Sequence, residues 1–257
     1  MGCRSSKSAD ASTISRWRST GIVALRDSKL KAFPFILRVV FLEANSHSSA
    51  VTVEIPMEIN KLTNLQRLIL ADNIIERLPM NLGLLQSLKV ATFDGNRIIN
   101  LPDELGQLVK LERLSVSANL LTSLPDTIGS LRSLVLLNVS NNKLKVLPES
   151  IGSCCSLEEL QANDNSIEEL PGSVCNLIQL KSLCLNNNNL NQMPSNLLRE
   201  CKGLQNIALH GNPITMDQFQ QMEGFQEFET RRKMKFNKQI DSNVIISSKG
   251  LDEGVDL

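Results

Sequence analysis

Four groups of residues are of a type and spacing that could do chemistry. The chain opens Met1-Gly2-Cys3-Arg4-Ser5-Ser6-Lys7. With Met1 removed, Gly2 presents an α-amino group and Ser6 stands at the position favoured for N-myristoylation. Cys3 beside it is a natural site for palmitate. One myristoyl chain binds a bilayer with an association constant of only about 10⁴ M⁻¹, and stable anchoring takes a second signal. Cys3 supplies one, and Arg4, Lys7, Arg16 and Arg18 add local positive charge. The second group is two histidines, His47 and His210. The third is the carboxylates Asp72, Asp94, Asp164 and Glu159. The fourth is six cysteines: Cys3, Cys154, Cys155, Cys175, Cys184 and Cys201. Their spacing matches neither a zinc site nor a paired disulfide framework, and they read as free thiols of a reducing compartment. No phosphate-binding glycine loop and no nucleophile–base pair stands out. The expected catalytic residues, metal ligands and cofactors are therefore none, and the chain reads as a non-enzyme.

The elements that position these residues follow from an internal repeat. Leu65 begins L-Q-R-L-I-L-A-D-N, and the frame returns at Leu88, Leu111, Leu134, Leu157 and Leu180. Asn73, Asn96, Asn119, Asn142, Asn165 and Asn188 are each 23 residues apart, and Asn212 follows after 24. A Leu-Pro step recurs at Pro79, Pro102, Pro125, Pro148 and Pro171, with Met193-Pro194 as its sixth form. In L-x-x-L-x-L the last two leucines alternate with other residues, as a half-buried strand requires. The asparagine amide carries both donors and an acceptor. Recurring in one frame, it predicts a buried ladder that ties the backbone of neighbouring repeats together. The segment after each proline predicts a short helical turn with inward Leu or Ile. These are the marks of leucine-rich repeats, and the expected fold is an α/β repeat solenoid: a horseshoe with parallel concave strands and short convex helical turns.

The frame divides the chain into a basic acylated segment (1–20), a solenoid of about nine repeats (21–214), a C-terminal capping helix (215–240) and a polar tail read as disordered (241–257). Residues 41–53 lack the L-x-L-x-x-N core and form a degenerate repeat. Phe219, Met222, Phe225 and Phe228 share one stripe of the capping helix. Strand alternation aims the intervening residues at the concave face, where packing does not dictate their identity. These include Arg67, Ala71, Arg113, Asn138, Glu159, Gln161, Asn163, Asn186 and His210. The polar run Asn138, Glu159, Gln161, Asn163, Asn186 and His210 suits hydrogen bonding to a basic or polar protein surface. All but Ala71 make up the expected partner-binding site.

The units from Leu65 to Pro194 resemble the plant intracellular Ras-group-related leucine-rich-repeat proteins. The stretch N-P-I-T-M-D-Q-F-Q-Q-M-E-G-F-Q-E-F-E-T-R-R-K with the tail K-Q-I-D-S-N-V is similar to the plant leucine-rich-repeat and ubiquitin-like-domain group, without its ubiquitin-like domain. The resemblance implies a protein-interaction scaffold or adaptor in intracellular signal transduction, with partners among small-GTPase pathways. A substrate-recognition role linked to ubiquitin transfer is the alternative that the second likeness implies. Lys plus Arg equals Asp plus Glu at 27 each, so no net charge draws the chain to nucleic acid. No stretch approaches the about 20 apolar residues of a membrane span, and no secretory leader is evident. The expectation is a cytoplasmic monomer held at the inner face of the plasma membrane by its acylated N-terminus.

Overall fold

In the computed structural model, residues 22–24, 55, 57–241 and 255–256 are described. Their core is one parallel sheet whose strands lie in chain order. Strands β1 (Ile22–Ala24), β2 (Arg67–Ile69), β3 (Val90–Thr92), β4 (Arg113–Ser115), β5 (Leu136–Asn138), β6 (Glu159–Gln161), β7 (Ser182–Cys184) and β8 (Asn206–Ala208) each hold three residues. The register pairs equivalent residues throughout, so Leu114, Leu137, Leu160, Leu183 and Ile207 form one file across the sheet. Every one is fully buried. The chain is a leucine-rich-repeat solenoid.

Among the described residues, five of the six 3-10 turns on the convex side repeat one construction. Pro79, Pro102, Pro125, Pro148 and Pro171, with φ between −73 and −62°, lead into five-residue 3-10 turns. Proline suits this entry because its ring sets φ and it has no N–H to leave unpaired. Inside the turns, Leu82, Leu105, Ile128, Ile151 and Val174 point into the core. The glycine that follows permits close stacking: a Cβ at Gly129 would lie 2.4 Å from the carbonyl oxygen of Ser150 in the next repeat. Cys175 takes the glycine's place in the sixth turn, Gly172–Asn176. The next repeat is one residue longer and carries α1 (Leu197–Glu200) instead of a 3-10 turn.

The first strand departs from a simple count of repeats. β1 pairs directly with β2, Val23 opposite Leu68, although 45 residues separate them. Two frames of sequence are thus spanned by one step of the sheet. The degenerate stretch 41–53 lies outside the described residues. At the other end, the helix expected over 215–240 is two helices, α2 (Met216–Gln220) and α3 (Phe225–Asp241). Thr215 and Gln218 close a capping box at the start of α2. The break between the helices passes through Gly224 at φ +87°, where a Cβ would also meet the Arg199 backbone N at 2.8 Å. Phe219 and Phe228 are fully buried and meet edge to face at 6.0 Å. The Arg231 guanidinium donates to the carbonyls of Leu204 (3.1 Å) and Leu198 (3.0 Å), tying α3 to the last repeat. Beyond α3, β9 (Val255–Asp256) adds a parallel strand to the free edge of β8.

Candidate functional site

The asparagine file holds the strands in place. Asn119 Nδ2 donates to the carbonyls of Phe93 (2.9 Å), Val116 (3.1 Å) and Ser117 (3.0 Å). Its Oδ1 accepts the N–H of Ile98 at 2.9 Å. Asn96, Asn142, Asn188 and Asn212 repeat the pattern. Asn165 repeats it too, with Val139, Ala162 and Asn163 as acceptors and Leu144 as donor. Asn73 donates to Leu70 and Ala71. From Asn96 to Asn212, each amide bonds backbone groups of two adjacent repeats.

In front of this file lies the concave face. Its outward residues in the strands are mostly half-buried, with Arg67 and Arg113 exposed. The register brings Asn138, Gln161 and Cys184 side by side, and Glu159 beside Ser182. Gln161 Nε2 donates to Glu159 Oε1 within the same strand. Arg67 and Arg113 stand on β2 and β4, on the N-terminal side of this polar run. Ala71 falls in the outward frame but is only 2% exposed, so it belongs to the core and not to the face.

Just past the strands, two further files appear that the repeat motif does not announce. Asp94 Oδ1 accepts from Ser115 Oγ (2.6 Å) and from the Ser117 N–H (2.7 Å). Asn163 Oδ1 accepts the Asn186 N–H at 2.8 Å, and Asn186 Oδ1 accepts the His210 N–H at 2.9 Å. Asn138 Oδ1 turns to the Ser140 N–H at 3.0 Å. The carbonyl ends of Asn138, Asn163 and Asn186 are thus engaged with backbone, and their NH₂ groups make no hydrogen bond among the described residues. Beside them Asp72, Ala118, Asn141, Asp164 and Asn187 sit at φ between 51 and 57°. Asp and Asn tolerate this left-handed conformation better than most residues, which is the signal that could have marked the file.

Other chemistry is sparse. Burial pushes the Cys154 thiol up to about 11 and the Cys201 thiol up to about 12, so neither is poised as a thiolate nucleophile. Burial raises Cys175 as well. Among the described residues no cluster of His, Cys, Asp and Glu could hold a metal ion, and no helix is long and apolar enough to cross a membrane. Gly2, Cys3 and His47 lie outside the described residues.

Known proteins share this architecture. Residues 109–167 match the family model described as leucine rich repeat. Over 266 aligned positions, covering 100% of both chains, the sequence is 73% identical to plant intracellular Ras-group-related LRR protein 7 of Oryza sativa subsp. japonica. The chain belongs to the plant intracellular Ras-group-related LRR family. A second relative, an LRR-repeat and ubiquitin-like domain-containing protein of Arabidopsis thaliana, is 39% identical over 62 residues, 24% of this chain and 16% of that one. Among solved structures, a leucine-rich-repeat protein of Leptospira interrogans superposes with a TM-score of 0.65 at 31% identity. The match covers 68% of this chain and 44% of the bacterial one. Members of this family have a solenoid of the type that presents an extended face to other proteins.

Proposed function

We propose that this chain is a non-enzymatic scaffold or adaptor that receives a protein partner on its concave face and works at the inner face of the plasma membrane. The observation that carries this reading is the row Asn138, Gln161 and Glu159. These polar side chains are half-exposed on rigid, fully registered strands whose opposite face is core. A preorganised strand surface loses little conformational freedom on binding, which favours recognition by many modest polar contacts. The family kinship supports a place in intracellular signalling with partners in small-GTPase pathways. Myristate on Gly2 and palmitate on Cys3 supply the tether in this reading.

The test is a double substitution, Glu159→Arg with Gln161→Ala, assayed by capture of partners from plant cell extract. Capture should fall while circular dichroism and melting stay as in the unaltered chain. Unchanged capture would move the binding face elsewhere, to the convex turns or α3. The tether is tested separately: Gly2→Ala should shift the protein from the membrane to the soluble fraction of its own cells. If the unaltered chain is already soluble and Gly2 is unmodified by mass spectrometry, the tether is wrong.

A further inference from the structure

The two flanks of the solenoid differ in how their charges are used. On the flank where the chain enters the strands, some charges from adjacent repeats meet, while Lys110 and Arg132 are exposed and make no ion pair among the described residues. Lys89 pairs with Glu112 at 2.9 Å and Lys181 with Glu158 at 2.8 Å. Two basic residues of α3 are also engaged: Arg231 holds two carbonyls, and Arg232 lies 3.1 Å from Glu229. The opposite flank, where the chain leaves the asparagine file for the convex turns, is built differently in its middle three repeats. Backbone bonds Arg97 N–H to Ile75 O, Leu120 N–H to Ile98 O and Lys143 N–H to Leu121 O, each 2.9 Å, put these residues at equivalent places one repeat apart. Two and three residues further on come Ile99 and Asn100, Thr122 and Ser123, and Lys145 and Val146.

Among these nine positions there is no acid. Arg97, Lys143 and Lys145 are exposed and make no ion pair among the described residues. Between them stand apolar side chains that packing does not require: Ile99 at 49% exposure, Leu120 at 36% and Val146 at 49%. The surrounding acids lie to the sides. Asp72 and Glu76 belong to the preceding repeat, Asp164, Glu168 and Glu169 to the following one, and Asp103, Glu104, Asp126 and Glu149 open the convex turns that come next in the chain. Asp94, on the concave side, is held by Ser115 and Ser117.

We propose that this flank, with Arg97, Lys143 and Lys145 around Ile99, Leu120 and Val146, is a surface that lies on an anionic lipid bilayer. Unpaired cations are drawn to acidic headgroups, and apolar tips between them enter the headgroup–acyl boundary. A bilayer fits better than an acidic peptide because the apolar side chains protrude. The adjacent groove, of about 320 Å³, is lined by Glu76, Arg77, Leu78, Ile99, Asn100, Leu101 and Pro102. Leu120, Lys143, Lys145 and Val146 lie outside it, so it offers a peptide no continuous bed. Contact through this flank leaves the concave strands open to a partner. The proposal rests on the reading that the protein works at a membrane, but not on the acyl chains.

The experiment therefore uses the full chain without acylation. It is sedimented with phosphatidylcholine vesicles, with and without phosphatidylserine, at physiological ionic strength. Each cation near an anionic surface contributes about fivefold to partitioning. Arg97→Glu with Lys143→Glu and Lys145→Glu should therefore lower binding to the acidic vesicles on the order of a hundredfold or more. A double reversal on the other flank, Lys110→Glu with Arg132→Glu, should change it by less than about threefold. Hydrogen exchange on acidic vesicles should slow at 97–100, 120–123 and 143–146. Three results overturn the proposal: no preference of the unaltered chain for acidic vesicles, equal losses from reversal on either flank, or a triple variant that loses only its affinity for a glutamate-rich peptide. Because no acyl chain is present, a soluble Gly2→Ala protein in cells and a failed vesicle assay are separate outcomes.

Discussion

Asn119 and Asn163 are the same residue type, two repeats apart, on the same side of the sheet, and the solenoid uses them in opposite ways. Asn119 is 6% exposed and spends both ends of its amide on backbone, with three donated bonds and one accepted. Asn163 is half-buried and is engaged through Oδ1, which accepts one N–H from the next repeat. The first closes a gap in the backbone bonding that water cannot reach. The second reinforces a contact at the rim and keeps donors toward solvent. What separates them is two positions in a 23-residue frame, so residue type carries less information here than phase. The proposed recognition surface is assembled from side chains of the second kind, which support the scaffold and still have bonding capacity left.

This contrast predicts a ranking of substitutions. The largest effect belongs to Asn119→Ala, which leaves the buried Ile98 N–H unpaired at about 1–3 kcal/mol and takes one of two donors from each of the Phe93, Val116 and Ser117 carbonyls. The expected loss is about 3 kcal/mol, read as a lower urea midpoint. Because repeats couple mainly to their neighbours, a shallower unfolding slope is expected with it. Gly129→Ala should come next. Its new methyl group meets the Ser150 carbonyl, and relief of such overpacking costs about 1–3 kcal/mol. Asn163→Ala should cost about 1 kcal/mol or less, because water can take over the Asn186 N–H. If Asn163→Ala destabilised as much as Asn119→Ala, the rim file would be part of the ladder and the contrast would fail.

Much of this is legible in the sequence, and the reasons are physical. Asn96 to Asn188 recur in phase with buried leucines because a solenoid imposes the same environment once per turn. The glycine after each inward Leu or Ile recurs for the same reason, since a side chain there would collide with the next repeat. The rim bonds of Asp94, Asn163 and Asn186 are harder to see. They depend on where the neighbouring repeat puts an N–H, and the types at those positions vary through Ala71, Ser117, Ser140 and His210. Alternation alone sends Ala71 outward, yet it is buried where the longer Asp94, Asn163 and Asn186 at the equivalent positions are half-buried. The direct pairing of β1 with β2 is likewise invisible in the repeat frame, which counts an additional degenerate unit across 41–53. The break at Gly224 could have been noticed, since a glycine inside an apolar helical stripe is a standing invitation to turn.

The central claim is that the concave strands receive the protein partner while the convex turns stay outside the contact. It is tested most directly by hydrogen-exchange footprinting of the chain with and without its captured partner. The account predicts slowed exchange at 136–141, 159–164 and 182–187, with the convex turns Asp103–Gln107 and Asp126–Ser130 unchanged. Protection confined to those turns or to α3, with the strands exchanging as in the free chain, would contradict it.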